Sequence, residues 1–309
     1  IRRPPRSTQG VSSAASDVYK RQVKSIETNG LEFIPISPGS SWLGSDKGGW
    51  IYASQRPRYE VRLPSYYIMK KPLTRGQVAR LLDEDEVPDE ADEPMTGLTI
   101  HEINSLKEAI ESSLKSHSEV SSLDVRLPSF PEWNHASKQI ELNPGIVEIL
   151  SDAAATSHRG GMMDGRPRPV ETTGPLQHHR LAVEMHPRKS ESFATSNIPV
   201  DRPLPNTVFR FVLSPTRIEP PRRVPKSADV LGNLRTEIVW TTLLGIIPSF
   251  LIPVIRGFGS YAIDGWANLL FGGLVAGFVT GAIWRPRRPS ISYEGGVQED
   301  DCLAASVSQ

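Results

Sequence analysis

The sequence predicts a loop-rich α+β domain followed by two transmembrane α-helices. Three observations carry this. The 309 residues include 27 prolines and 24 glycines, too many breakers for a helical bundle. Short segments of β-branched and aromatic residues, bounded by Pro and Gly, alternate with amphipathic segments of only a few turns. Near the C-terminal end, two long runs carry no charge at all.

Residues 1–22 contain no initiator methionine and are basic and Ser-rich. They resemble translated sequencing-adapter read-through, and whether artefactual or a native basic tail they are expected to lie outside the fold. Leu31–Ile36 and Tyr59–Leu63 read as strands. Residues 74–82 have helical spacing, with Val78, Leu81 and Leu82 on one side and Thr74 as N-cap. Residues 83–94 hold eight carboxylates in twelve positions without the alternation or turn glycine of a calcium loop, so a solvated acidic loop is expected. Residues 99–116 place Ile100, Ile103, Leu106, Ile110 and Leu114 on one helical face, with Thr99 and Glu102 spaced for a capping box. A short third helix is expected over 131–138, with Trp133 packed beneath it.

Lys and Arg together number 35, as do Asp and Glu, so the formal net charge is zero. That gives no reason to expect nucleic-acid binding, which relies on a basic face to neutralise phosphates. The single cysteine, Cys302, excludes an internal disulfide framework and suits a reducing compartment.

Four blocks stand in the order of a known family. Phe33-Ile34-Pro35-Ile36-Ser37-Pro38-Gly39 with Trp42-Leu43-Gly44-Ser45 is similar to its opening block. Arg56-Pro57-Arg58-Tyr59-Glu60-Val61 through Pro72-Leu73-Thr74 resembles its second. Pro94-Met95-Thr96-Gly97-Leu98-Thr99 with Glu102 resembles its third, and Arg126-Leu127-Pro128-Ser129-Phe130-Pro131-Glu132-Trp133 its R-L-P-T-x-x-E-W block. The family is that of the sulfatase-modifying factors and formylglycine-generating enzymes. Gly145-Ile146-Val147-Glu148, Arg159-Gly160-Gly161 and Phe209-Arg210-Phe211-Val212-Leu213 resemble its later blocks, so the likeness covers roughly 31–214. It implies a C-type-lectin-like fold, with Arg126 and Glu132 pinning the segment that enters the third helix.

The family's oxidation of a substrate cysteine uses copper held by a pair of active-site cysteines, and soft thiolates are what select Cu(I). Residues 33–213 contain no cysteine. The iron-dependent relatives draw histidines from a separate helical domain that has no counterpart here. Gly145-Ile146-Val147-Glu148 also lacks the asparagine and tryptophans that help build the family's calcium site. We therefore expect no catalytic, cofactor-binding or metal residues and no cofactor. His135, His158, His178, His179 and His186 show no metal-ligand spacing, and adjacent His178 and His179 would point to opposite faces of a strand. No G-x-S-x-G elbow, P-loop or C-x-x-C occurs.

Residues 238–255 and 265–284 are uncharged runs of 18 and 20 residues, each long enough for a hydrocarbon core of about 30 Å at 1.5 Å per residue. Trp240, Trp266 and Trp284 lie near their ends, where amphipathic rings prefer the interface. Pro248 and Pro253 should bend the first span. The stripe Gly273, Gly277 and Gly281 suits close approach by the first span or by a second subunit. Arg222, Arg223, Lys226 and Arg235 precede the hairpin and Arg285, Arg287 and Arg288 follow it, so both ends and the folded module are expected in the cytoplasm.

The expected organisation is a leader (1–22), a sulfatase-modifying-factor-like domain (31–214), a Pro/Arg-rich linker (215–236), a two-helix hairpin (237–285) and a disordered tail (286–309). The expected function is a membrane-anchored, non-catalytic recognition or scaffold module that meets the lipid bilayer and a protein, peptide or small ligand. The alternative is a metal-dependent oxidoreductase related to the same family, with ligands that the sequence does not reveal.

Overall fold

The computed structural model describes residues 25–84, 90–114, 122–170, 174–186, 193–260 and 264–298. The leader, Cys302 and part of the acidic run lie outside them. The architecture is mixed α+β, as the sequence predicts, with two long apolar helices at the C-terminal end.

Five strands make the central sheet. They are β1 (Ile26–Thr28), β2 (Leu31–Ile36), β5 (Tyr66–Met69), β6 (Leu123–Arg126) and β11 (Val212–Pro215), in spatial order β1-β2-β5-β11-β6. Every pairing is antiparallel, with Phe33 opposite Met69, Ile68 opposite Val212, and Val212 opposite Arg126. Because side chains alternate across a strand, the sheet has two apolar faces. Leu31, Phe33, Met69 and Leu213 join one core, and Ile36, Tyr66, Ile68 and Val212 join the other.

Helices α1 (Arg75–Leu81) and α2 (Ile100–Leu114) cover the first face with Val78, Ile103, Leu106, Ile110 and Leu114. Both starts are capped as predicted. Thr74 Oγ1 accepts from the Gln77 amide, and Glu102 accepts from the Thr99 amide at 2.7 Å. The described end of the acidic run packs on α1, with Ala91 accepting from the Gly76 amide and Glu90 paired to Arg75.

The second face is covered by the hairpin of β3 (Gly39–Leu43) and β4 (Tyr59–Leu63) and by α3 (Phe130–Ala136). A second sheet lies beyond it, β7 (Val147–Ala153), β8 (His179–Met185), β9 (Phe193–Pro199) and β10 (Thr207–Val208), in the order β10-β7-β8-β9. Strand β9 is an edge, paired only to β8.

The segments expected as linker and tail are partly built into the fold. Strand β12 (Arg222–Arg223) pairs with β13 (Val297–Gln298), Val224 is buried, and Ile291 exchanges backbone hydrogen bonds with Arg58 and Glu60. Residues 286–298 thus return to the module after the hairpin. Their pairing is non-local, so no periodicity announces it.

Helix α4 (Val230–Ile255) is also longer than the uncharged run. Asp229 caps it through the Gly232 amide at 2.8 Å, nine residues before the run begins. The expected disturbance at Pro248 takes the form of a π turn over Thr242–Ile246, just before the proline. An extra residue in that turn relieves the clash between a proline ring and the carbonyl one turn back. Helix α5 (Trp266–Ile283) lies against α4 through the glycine stripe. A Cβ on Gly273 would meet the Gly245 carbonyl at 2.5 Å, and one on Gly277 would meet Thr241. The stripe is occupied within the chain.

Candidate functional site

The site is assembled around the start of α3. Ser129 caps the helix, and its own amide donates to Glu132 Oε2 at 3.0 Å, closing a capping box. Arg126, the last residue of β6, grips the Glu132 carboxylate with both Nη atoms at 2.7 Å. Ser214 of β11 donates to the same carboxylate at 3.0 Å, so Glu132 is fully buried yet satisfied. The pairing of Arg126 with Glu132 expected from the sequence is therefore present. Trp133, 2% exposed, packs in the core edge-on to Phe193 at 4.9 Å.

This rigid corner forms one wall of a cavity of about 380 Å³ between α3, the end of β7, the loop after it and the edge strand β9. Phe130, Leu181 and Phe193 supply apolar surface. Tyr59, Asp152, His158 and Arg168 supply the polar groups. Volume and mixed lining are those of a small-ligand site.

Asp152 is held rigidly. Its Oδ2 accepts from the Phe130 amide at 2.6 Å, capping α3, and its Oδ1 accepts from the Arg168 amide at 2.7 Å. Burial nevertheless pushes its carboxyl up to about 6, against the pull of those two amides. His158 faces Tyr59 edge-on at 5.5 Å. The residue is only half-buried overall, but its Nδ1 is sealed from water, and a backbone hydrogen bond with Pro57 partly offsets the cost of charging the ring. Burial, aided by the Arg168 guanidinium, lowers its imidazole to about 4. The Arg168 side chain is itself braced by the Ser157 and Arg159 carbonyls at 2.9 and 2.6 Å. Near neutral pH the cavity thus presents an ionised carboxylate, a neutral imidazole, a guanidinium and a phenol whose proton burial holds in place. Such a set can orient and hydrogen-bond a polar ligand.

Of the five histidines considered in the sequence, only His158 reaches this cavity. His135 meets the Ser37 carbonyl at 3.3 Å, and His178 and His186 are exposed. Among the described residues, no group of three or more His, Cys, Asp or Glu side chains is arranged to hold a metal ion. Glu148, in the segment that resembles the family's calcium block, is bound instead by Arg210 in the core. Sequence reasoning missed Asp152 and Arg168, which lie in loops or at strand ends without a motif. The nearby Arg159-Gly160-Gly161 was the only signal in that region.

No protein-family profile and no curated protein matches the chain. Among solved structures it is similar to Treponema denticola variable protein 1, at 13% identity and a TM-score of 0.47, over 62% of this chain and 99% of that one. It is similar to PvdO from Pseudomonas aeruginosa at 11% identity and a TM-score of 0.45, over 62% and 99%. CarF matches at 12% identity and a TM-score of 0.37, over 60% and 99%. At these scores the likenesses carry no conclusion about activity.

Proposed function

We propose that the chain is a membrane-anchored recognition module that binds a small ligand, or one side chain of a peptide, in the cavity beside α3. The observation that carries this reading is the cavity itself, with the braced Asp152 and Arg168 beside His158 on one side and Phe130, Leu181 and Phe193 on the other. Polar groups held in place next to apolar surface favour selective binding. The module is read as a degenerate sulfatase-modifying-factor-like domain of C-type-lectin-like type, because the four motif blocks resemble that family and the thiolate pair is missing. Fold-level analogy names no ligand.

Anchorage rests on α4 and α5, which at 26 and 18 residues are long and apolar enough to cross a membrane. Their outward-facing Phe250, Leu251, Phe271 and Phe278 are half or more exposed, which a soluble surface tolerates poorly. The arginines at both ends of the hairpin favour a cytoplasmic module.

Native mass spectrometry of the full chain in lipid nanodiscs tests this. A bound small molecule or peptide should be present on the wild type and lost from Ala155→Phe, which fills the cavity, while the melting temperature is kept. Ligand retained by Ala155→Phe, or none on either chain, would refute the reading. The full chain is needed because residues 222–224 and 286–298 are part of the module's packing.

A further inference from the structure

One element of the module is fixed to the side of a membrane helix. The 3-10 turn Trp50–Gln55 follows Gly48 and Gly49, both buried against the end of α5. A Cβ on Gly49 would meet the Ala282 carbonyl at 2.7 Å, and one on Gly48 the Pro286 carbonyl at 2.2 Å. Only glycine allows the backbone this close. The Arg288 amide donates to the Asp46 carbonyl at 2.7 Å, fastening the loop from its other side. Trp50 then packs edge-on to Phe278 with ring centroids 4.2 Å apart.

The depth of that contact follows from helix geometry. Trp240 and Trp284 meet edge-on at 5.0 Å where the two helices join the module, a pair suited to the membrane interface. Phe278 precedes Trp284 by six residues, about 9 Å along the helix at 1.5 Å per residue. Helical side chains lean toward the N-terminus, which in α5 is the far side of the bilayer. Even if the whole centroid separation ran along the axis, the Trp50 ring would sit about 5 Å on the bilayer side of Trp284. Ile51, next to it, is 58% exposed.

We propose that the turn Trp50–Gln55 is a third membrane contact, with Trp50 and Ile51 inserted into the bilayer beside α5. This rests on the reading of α4 and α5 as membrane-spanning. The occupant of this exposed apolar surface is lipid, because the surface continues the lipid-facing side of α5. Ser54 and Gln55 of the same turn line the cavity beside α3, so insertion holds the cavity at the bilayer surface.

Site-directed nitroxide labelling of the full chain in nanodiscs tests this, with Cys302→Ser as background. Ile51→Cys is compared with Val279→Cys on the exposed side of α5 and Ser105→Cys on α2. Collision rates with oxygen and with a water-soluble nickel chelate are read at each. The label at 51 should behave like that at 279, with nickel accessibility several-fold below that at 105. Lipid exposure at 279 with water exposure at 51 would overturn the insertion and leave the hairpin reading intact. Water exposure at both would overturn both.

Discussion

Arg210 and Glu148, far apart in sequence, form an enclosed ion pair with Nε to Oε1 at 2.5 Å and Nη2 to Oε2 at 3.0 Å. Arg210 also donates to the carbonyls of Met69, Lys70 and Glu141, so its guanidinium is spent within the core. The pair ties the end of the central sheet to the second sheet. Removing one partner leaves the other charge buried and uncompensated, so Arg210→Met or Glu148→Gln should each cost about 3–5 kcal/mol. Replacing both with apolar residues should cost much less than the sum. A double-mutant cycle by chemical denaturation measures this, and additive losses would show that the two do not depend on each other.

Trp133 anchors the second core beneath α3. Its truncation to alanine should cost about 3–5 kcal/mol. Its indole N–H is buried without a partner, so Trp133→Phe should be far milder than its lost area suggests. An unchanged thermal midpoint for Trp133→Ala would mean that the core lies elsewhere.

Asp152 and His158 should oppose each other in acid. The folded pKa of Asp152 is raised from 3.8 to about 6, so its contribution is present at low pH and lost as pH rises through that window. The folded pKa of His158 is lowered from 6.5 to about 4, so its contribution is present above 6.5 and lost as pH falls toward 4. Between these limits the two slopes cancel. Relative to wild type, His158→Gln should gain stability on acidification from pH 6 to 4, and Asp152→Asn should lose it. The slope is about 1.4 kcal/mol per pH unit for each. Parallel pH profiles for all three chains would remove the coupling from the account.

Neighbouring glycines of α5 separate the packed side of the hairpin from the open one. Gly273 lies against the Gly245 backbone, whereas a Cβ on Gly272 would meet nothing within 4 Å. Gly273→Leu should lower hairpin stability by about 1–3 kcal/mol through overpacking, and Gly272→Leu should be near neutral. Thermal unfolding in detergent micelles distinguishes them. Equal effects would mean that the helices do not meet along this stripe.

What the sequence revealed follows the range of the forces involved. Helix α2 was legible over its described length, residues 115 and 116 of the expected span lying outside the described residues, because its apolar spacing and its Thr99–Glu102 box are local. The union of Arg126 with Glu132 was legible for the same reason, since six residues and one motif contain it. Strands β10, β12 and β13 have two residues each and exist only through distant partners, so no periodicity exposes them. Strand β9 reads Phe-Ala-Thr-Ser-Asn-Ile-Pro, whose polar centre is that of an exposed edge rather than of a core strand. The cavity was hidden because Tyr59, Asp152, His158 and Arg168 come from a strand, a strand end and two loop positions. The length of α4 was missed because Asp229 extends the helix through residues too polar for the hydropathy run.

The proposed reading is that this chain binds rather than oxidises, and its motif-bearing region, residues 33–213, contains no cysteine to hold copper. Elemental analysis of the full chain, purified in detergent and exposed to Cu(I) and Fe(II) under reducing conditions before desalting, tests it most directly. Copper and iron are expected well below one atom per chain. Stoichiometric copper or iron, retained through desalting, would contradict it and restore the metal-dependent oxidoreductase reading.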